Sequence, residues 1–183
     1  MKTPISFAEA MAVAQELAYD LKPYTRAIEI VGSLRRGKAT VGDIELLYIP
    51  KFDHRADGLF DTIHVNIAEE RISEWLTNGT LTKRPNIRGF TSWGEKNKLA
   101  VHKSGIPVDL FATTAENWHV SLVIRTGSKE TNLKLTTGAQ KQGCTLNAYG
   151  SGITWPDGEV TPATSEREVF SLCGVPYLEP KNR

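Results

Sequence analysis

The segment Gly42-Asp43-Ile44-Glu45-Leu46-Leu47-Tyr48-Ile49 constrains the fold more than any other stretch. From Leu46 onward it is continuously apolar, the pattern of a strand buried on both faces inside a helix-covered sheet. Its entry carries two acids. Residues two apart in a strand share a face, so Asp43 and Glu45 converge on one side while Ile44 and Leu46 pack on the other. Adjacent carboxylates repel unless cations lie between them. A third acid, Asp109, stands in Pro107-Val108-Asp109-Leu110-Phe111, a second apolar strand where a carboxylate is costly without a partner. Oxygen donors without His or Cys suit Mg²⁺ or Mn²⁺. Three carboxylates together fit two-metal chemistry, in which ions roughly 3.5–4 Å apart bind attacking and leaving oxygens.

The flanking pattern supplies helices for such a sheet. Ser6-Phe7-Ala8-Glu9 is a capping box. Phe7, Met11, Ala14, Leu17, Ala18 and Leu21 follow at helical spacing, and Pro23 stops the helix. A short β-branched strand at 27–31 runs into Gly32-Ser33-Leu34-Arg35-Arg36-Gly37. There a glycine admits close backbone approach, turning N–H groups form an anion nest, and arginines offer forked donors. Residues 51–58 are polar and predict a loop; 63–76 predict a helix closed by Asn78-Gly79. Strands are expected at 80–83, 98–102 and 107–113, the last two joined by a Lys103-Ser104-Gly105 turn.

After Thr114 the texture changes. A helix at 115–124 is broken by Arg125-Thr126-Gly127-Ser128, and a second runs to about 141 with Gly143 as its stop. Short strands are expected at 144–149 and 153–155, then turn residues Trp155-Pro156-Asp157-Gly158. A second capping box, Ser165-Glu166-Arg167-Glu168, opens a helix to Cys173. The expected class is therefore α+β: a mixed sheet with flanking helices over 1–114, and a small α/β lobe over 115–183.

Composition excludes several alternatives. The 183 residues are 40% hydrophobic and 23% charged, ordinary globular values. No run approaches the roughly 20 apolar residues of a membrane helix, and no apolar signal region follows Met1-Lys2-Thr3-Pro4. Cys144 and Cys173 form no paired motif and read as reduced thiols of an intracellular, cytoplasmic protein. The net charge of +1 conceals segregation. Lys22, Arg26, Arg35, Arg36 and Lys38 cluster against Glu29. Lys83, Arg84, Arg88, Lys96, Lys98 and Lys103 cluster against Glu95, and residues 43–79 between them are acid-rich. Basic faces beside an acidic centre suit a phosphate backbone. His54, His64, His102 and His119 lack metal-ligand spacing and read as surface or packing residues. Trp75, Trp118 and Trp155 read as core or lobe-contact residues. Trp93, inside a basic stretch, is a candidate for stacking on a base.

Val31-Gly32-Ser33-Leu34-Arg35-Arg36-Gly37, Gly42-Asp43-Ile44-Glu45, Val108-Asp109-Leu110 and Arg125-Thr126-Gly127-Ser128 with Asn132 occur in a fixed order. So do Lys141-Gln142-Gly143-Cys144-Thr145-Leu146-Asn147-Ala148-Tyr149, the second capping box and Tyr177-Leu178-Glu179-Pro180-Lys181-Asn182-Arg183. The set resembles the family X DNA polymerases of the polymerase beta nucleotidyltransferase superfamily, in the minimal palm-plus-thumb form of small viral members, without the lyase and helix-hairpin-helix lobes. The resemblance implies a palm over 1–114 and a thumb over 115–183. It implies a monomer that adds dNTPs to a DNA 3′-OH on primer-template or gapped DNA, in gap filling or repair. Asp43, Glu45 and Asp109 would be catalytic and hold two Mg²⁺ ions, with Mn²⁺ as an alternative, Asp109 lying nearest the attacking hydroxyl. Gly32, Ser33 and Arg36 would cradle the β- and γ-phosphates, and Gly42 would also belong to the nucleotide-binding set. Thr126, Gly127 and Asn132 would contact the nucleotide, and Lys129, Lys134 and Lys141 the duplex backbone. Two positions depart from the family: Glu45 stands where Asp is usual, and Ile124-Arg125 where an aromatic pair often precedes Thr-Gly. The second departure implies weaker rejection of ribonucleotides. The alternative function is template-independent nucleotidyl transfer to RNA, protein or a small molecule, since the same palm serves both.

Overall fold

The computed structural model describes residues 4–57 and 61–183. Strand β1 (Ile5–Ser6) leads into helix α1 (Phe7–Leu21), whose N-terminus is capped as expected: the Ser6 hydroxyl accepts from the Glu9 amide at 3.3 Å. A 3₁₀ turn at Lys22–Tyr24, with Pro23 at its start, ends the helix. Then come β2 (Thr25–Ile30), the single-turn helix α2 (Gly32–Arg35), β3 (Thr40–Val41), which pairs with β1, and β4 (Ile44–Pro50). Strands β5 (Phe52–Asp57) and β6 (Asp61–Asn66) form an antiparallel hairpin. Helix α3 (Ile67–Thr77) is capped by Asn66, and β7 (Leu81–Lys83), β8 (Asn97–His102) and β9 (Pro107–Ala112) complete the larger half.

The five-stranded sheet has the order β2-β4-β9-β8-β7. All its pairings are antiparallel except β4 with β9, which is parallel. Alternation along these strands divides the sheet's two faces. Ile44, Leu46 and Tyr48 of β4, with Val108 and Leu110 of β9, enter one core with Leu17 and Leu21 of α1 and Ile72 and Trp75 of α3. Each such large side chain contributes about 1.5–3 kcal/mol by leaving water. The opposite face carries Leu47 and Phe111, which pack with Val31, Leu122 and Trp118. Glu45 and Asp109 lie on this second face, one pleat before Leu47 and Phe111. The carboxylates thus stand where the apolar cover gives out.

Helix α4 (Trp118–Thr126) supplies that cover and faces two ways. Leu122 meets the sheet, while Val120 and Val123 enter a separate core with Leu135 and Ala139 of α5 (Lys129–Lys141). A three-stranded ladder of β10 (Thr145–Leu146), β11 (Gly152–Thr154) and β12 (Val160–Pro162) follows, closed by α6 (Glu166–Leu172) with Ser165 as its cap. Cys144 and Cys173 are both buried free thiols in this core, and burial pushes the Cys173 thiol up to about 11. No helix among the described residues is long and apolar enough to cross a membrane.

Two expectations are corrected. Most of the expected loop at 51–58 is strand β5, and the expected helix at 63–76 begins only at Ile67, after strand β6; Gly58 lies outside the described residues. Both arms of the hairpin are largely exposed, so no buried stripe marked their period. Thr62, Ile63 and Val65 are β-branched and favour the strand, while Asn66, the N-cap, sets the true helix start.

Candidate active site

Register builds the site. In the parallel β4–β9 pair, Glu45 lies directly opposite Asp109. Asp43 immediately precedes β4, two residues before Glu45. The proximity shows electrostatically: burial, then the Asp43 and Asp109 carboxylates, push Glu45 up to about 7, against the pull of Arg125 and Arg36. Asp109 has an arginine partner. Arg84 Nη2 donates to Asp109 Oδ1, and Arg84 Nε donates to the Ala100 carbonyl at 3.1 Å.

Gly32 faces the same acids. It begins α2 with φ of +66°, and a Cβ there would lie 1.7 Å from Glu45 Oε2. Only glycine admits both that backbone angle and that approach. Ser33 follows within α2, and its carbonyl accepts from the Lys38 amide at 3.1 Å. Gly42 is half-buried beside Asp43.

The two arginines of α2 reach across to the second core. Arg35 Nη1 donates to Thr126 Oγ1 at 2.7 Å and to Glu166 Oε2 at 3.0 Å. Glu166 Oε2 also meets Arg183 Nη2 at 2.7 Å. Burial pushes Glu166 up, but its hydrogen bonds to Arg35 and Arg183 outweigh this and hold it below the usual carboxylate range. Arg36 Nη1 donates to the Thr126 carbonyl, while its buried Nε has no partner among the described residues. Gly127, with φ of +67°, ends α4; a Cβ on it would lie 3.1 Å from Arg36 Nη1. Asn132 Nδ2 donates to the Ile124 carbonyl at 2.8 Å, leaving its buried Oδ1 unpartnered among the described residues. Thus Gly32, Arg36, Thr126 and Gly127 adjoin one another beside the carboxylates, and among the described residues two buried polar atoms, Arg36 Nε and Asn132 Oδ1, have no partner. Such atoms are costly unless a ligand or water completes them.

Arg125 stacks 3.8 Å above the Phe111 ring. Its Nη2 donates to Tyr149 Oη at 3.2 Å and to Asn97 Oδ1 at 3.4 Å. The Asn97 hydrogen bond, with Arg125 and Lys96 assisting, holds the Tyr149 phenol below its ordinary range.

Residues 121–183 match the DNA polymerase beta thumb family. The chain is 30% identical over 185 aligned residues, 98% of its length, to the DNA polymerase/3′-5′ exonuclease PolX of Bacillus subtilis (strain 168). It is 24% identical over 161 residues, 83% of its length, to DNA polymerase lambda of Rattus norvegicus. The chain is a relative of the family X DNA polymerases. It spans 28% of the length of each of these two.

Against the family X resemblance, the structure brings Asp43, Glu45, Asp109 and Gly32 together, and sets Arg36, Thr126, Gly127 and Asn132 at the junction with the thumb-matching segment. Lys134 is ion-paired with Glu130 at 2.9 Å on α5. Trp93 lies under the Lys83 ammonium, 4.9 Å from its ring centre, and packs against the larger core. His54 and His64 face each other across the hairpin with ring centres 4.1 Å apart. Sequence reading missed Arg84, although the cost of Asp109 in an apolar strand signalled some cationic partner. It also missed the Arg35–Glu166–Arg183 contact, for which no local signal exists.

The donor chemistry of the three carboxylates fits a hard divalent cation: oxygen ligands, mutual repulsion, and one member driven toward its neutral form by burial and by its acidic neighbours. They are not a closed ligand set as they stand. Among the described residues no group of three or more His, Cys, Asp or Glu side chains is already arranged around an ion position, and Asp109 is engaged by Arg84.

Proposed function

We propose that this chain carries the palm and thumb of a DNA polymerase, with the lobe boundary near residue 114, and adds dNTPs to the 3′ end of a primer at a gap. The observation that carries this reading is the side-by-side placement of Glu45 and Asp109, with Asp43 adjacent, beneath a glycine turn that leads to two arginines.

Asp43, Glu45 and Asp109 would hold Mg²⁺, or Mn²⁺ in its place. Bound there, the metal would supply Lewis-acid stabilisation of the attacking and leaving oxygens. The reaction joins the primer 3′ oxygen to the α-phosphorus and releases pyrophosphate, the hydroxyl proton passing to Asp109 or to solvent. The amides turning through Gly32 and Ser33 beside Gly42, with the Arg36 guanidinium, suit the β- and γ-phosphates. Thr126, Gly127 and Asn132 would meet the nucleotide's sugar and base; Thr126 is buried and held by Arg35 and Arg36, whereas the Asn132 oxygen, without a partner among the described residues, can accept a hydrogen bond. Lys129, Lys134 and Lys141 of α5 offer salt-sensitive contacts to duplex phosphates.

The test is extension of a labelled primer on one-nucleotide-gapped DNA, with each dNTP and rNTP, with and without the template strand. Incorporation that follows the template base supports the assignment. Equal incorporation of every nucleotide without a template moves the chain to template-independent transfer. No incorporation with either Mg²⁺ or Mn²⁺ refutes both.

A further inference from the structure

Arg84 belongs to none of the motifs that single out the site, yet it is ion-paired with one of its carboxylates. It leaves the sheet at the end of β7. Its amide donates to the Leu99 carbonyl at 3.0 Å, and its Nε donates to the Ala100 carbonyl at 3.1 Å. These anchors aim the guanidinium across β8 onto Asp109, which sits opposite Leu99 in the β8–β9 pairing. The pair is shielded, with side-chain exposures of 19% for Arg84 and 14% for Asp109. It is therefore poorly screened by water and salt. A backbone carbonyl holds the guanidinium at Nε, and among the described residues Asp109 is the acid paired with it.

We propose that Arg84 is a positioning residue that serves as the resident counter-ion of Asp109 and is displaced from it when a divalent cation is taken up. The inference rests on the proposed use of these carboxylates as cation ligands. A cation and a guanidinium seeking the same carboxylate oxygen oppose each other twice: they compete for its lone pairs, and their like charges repel. The arginine thus keeps the carboxylate group tolerable when unloaded and weakens its hold on a lone cation. A nucleotide triphosphate adds negative charge beside the site and tips the exchange. Cation uptake then follows nucleotide binding.

The experiment is a Mn²⁺ titration of the full chain, followed by electron paramagnetic resonance, with and without a non-hydrolysable dNTP analogue. Wild type is compared with Arg84→Gln, which keeps a donor for the Ala100 carbonyl but removes the charge, and with Arg84→Lys. Without nucleotide, Arg84→Gln is expected to bind Mn²⁺ about tenfold more tightly than wild type, equivalent to about 1.4 kcal/mol, with Arg84→Lys close to wild type. The gap should narrow when the analogue is present. The melting temperature of Arg84→Gln should also rise more on Mg²⁺ addition than that of wild type, a readout independent of turnover. Equal or weaker Mn²⁺ binding by a folded Arg84→Gln overturns the counter-ion role while leaving the metal reading intact. If Arg84→Gln does not fold, Arg84→Met decides by the same titration. Absence of Mn²⁺ binding in every variant, with or without nucleotide, overturns the metal reading itself.

Discussion

Glu45 and Glu166 are both carboxylates shielded from water, and burial pushes both upward. Their neighbours then separate them. Glu166 lies between Arg35 and Arg183 and stays below the usual carboxylate range, whereas Glu45 lies beside Asp43 and Asp109 and rises to about 7. At the lobe junction charge is matched by charge, and the result is a tie between α2, α6 and the C-terminal residue. On the sheet face acid stands beside acid, and burial with the two neighbouring carboxylates outweighs the pull of Arg125 and Arg36 on Glu45, which suits a cation that arrives from outside. Burial alone does not tell a structural acid from one reserved for a ligand; the sign of the surrounding charge does.

The largest test of this contrast is Asp109→Ala. Transfer should fall by 10³-fold or more, about 4 kcal/mol of transition-state stabilisation, read in single-turnover primer extension. Thermal stability should change little in net, because relief of the like charge beside Glu45 is opposed by loss of the shielded Arg84 partner. Normal turnover would end the catalytic assignment, and a fall in stability as large as that of Glu166→Ala would show that the Arg84 pair outweighs the repulsion among the three acids.

Glu166→Ala should do the reverse. Arg183, whose side chain is fully buried, and Arg35 would lose their shared acid. Breaking a buried pair costs about 3–5 kcal/mol, measured by urea denaturation. Glu166 also has a pH signature. Its folded value lies below its ordinary 4.5, so the folded state binds fewer protons there than the unfolded chain. Its stabilisation is complete above about pH 4.5 and is lost as pH falls through the lower folded value. Urea midpoints of wild type and Glu166→Gln should differ at neutral pH and converge in acid; a constant difference would deny the shift.

Arg36 stands between the two regimes, donating to a backbone carbonyl while its Nε has no partner among the described residues. Arg36→Ala should raise the dNTP KM or lower kcat/KM by about tenfold, the loss of a charged contact worth about 1.5–3 kcal/mol. A change in melting temperature with unchanged kinetics would make it a junction residue like Arg35.

The elements that carry their own instructions were legible in sequence. The capping boxes at Ser6 and Ser165 placed two helix starts, Pro23 an end, and the apolar run after Glu45 a central strand. The nearness of Asp43 to Glu45 was legible too, although Asp43 lies just before β4 and not within it. The β5–β6 hairpin was not legible, because its exposed arms bury no periodic face and their polar residues imitate a loop. The β1–β3 pairing was too short to leave a pattern. Arg84 and Glu166 stayed hidden for a different reason. Each meets its partner across strands or lobes far apart in the chain, and nothing local to either residue records the meeting.

The parallel pairing of β4 with β9 has a consequence for how the site comes into being. Parallel neighbours need a long crossover, here filled by the hairpin, α3, β7 and β8. Glu45 therefore meets Asp109 only after everything between them has been ordered, a contact of long sequence separation that is slow to form. On an emerging chain Asp43 and Glu45 wait at an unpaired strand edge until β9 docks. Assembly of the acidic face and completion of the central sheet are then one event. Amide hydrogens of the β4–β9 ladder should exchange at the rate of whole-molecule opening, so that a chain with its carboxylates in place is a chain already folded through its middle.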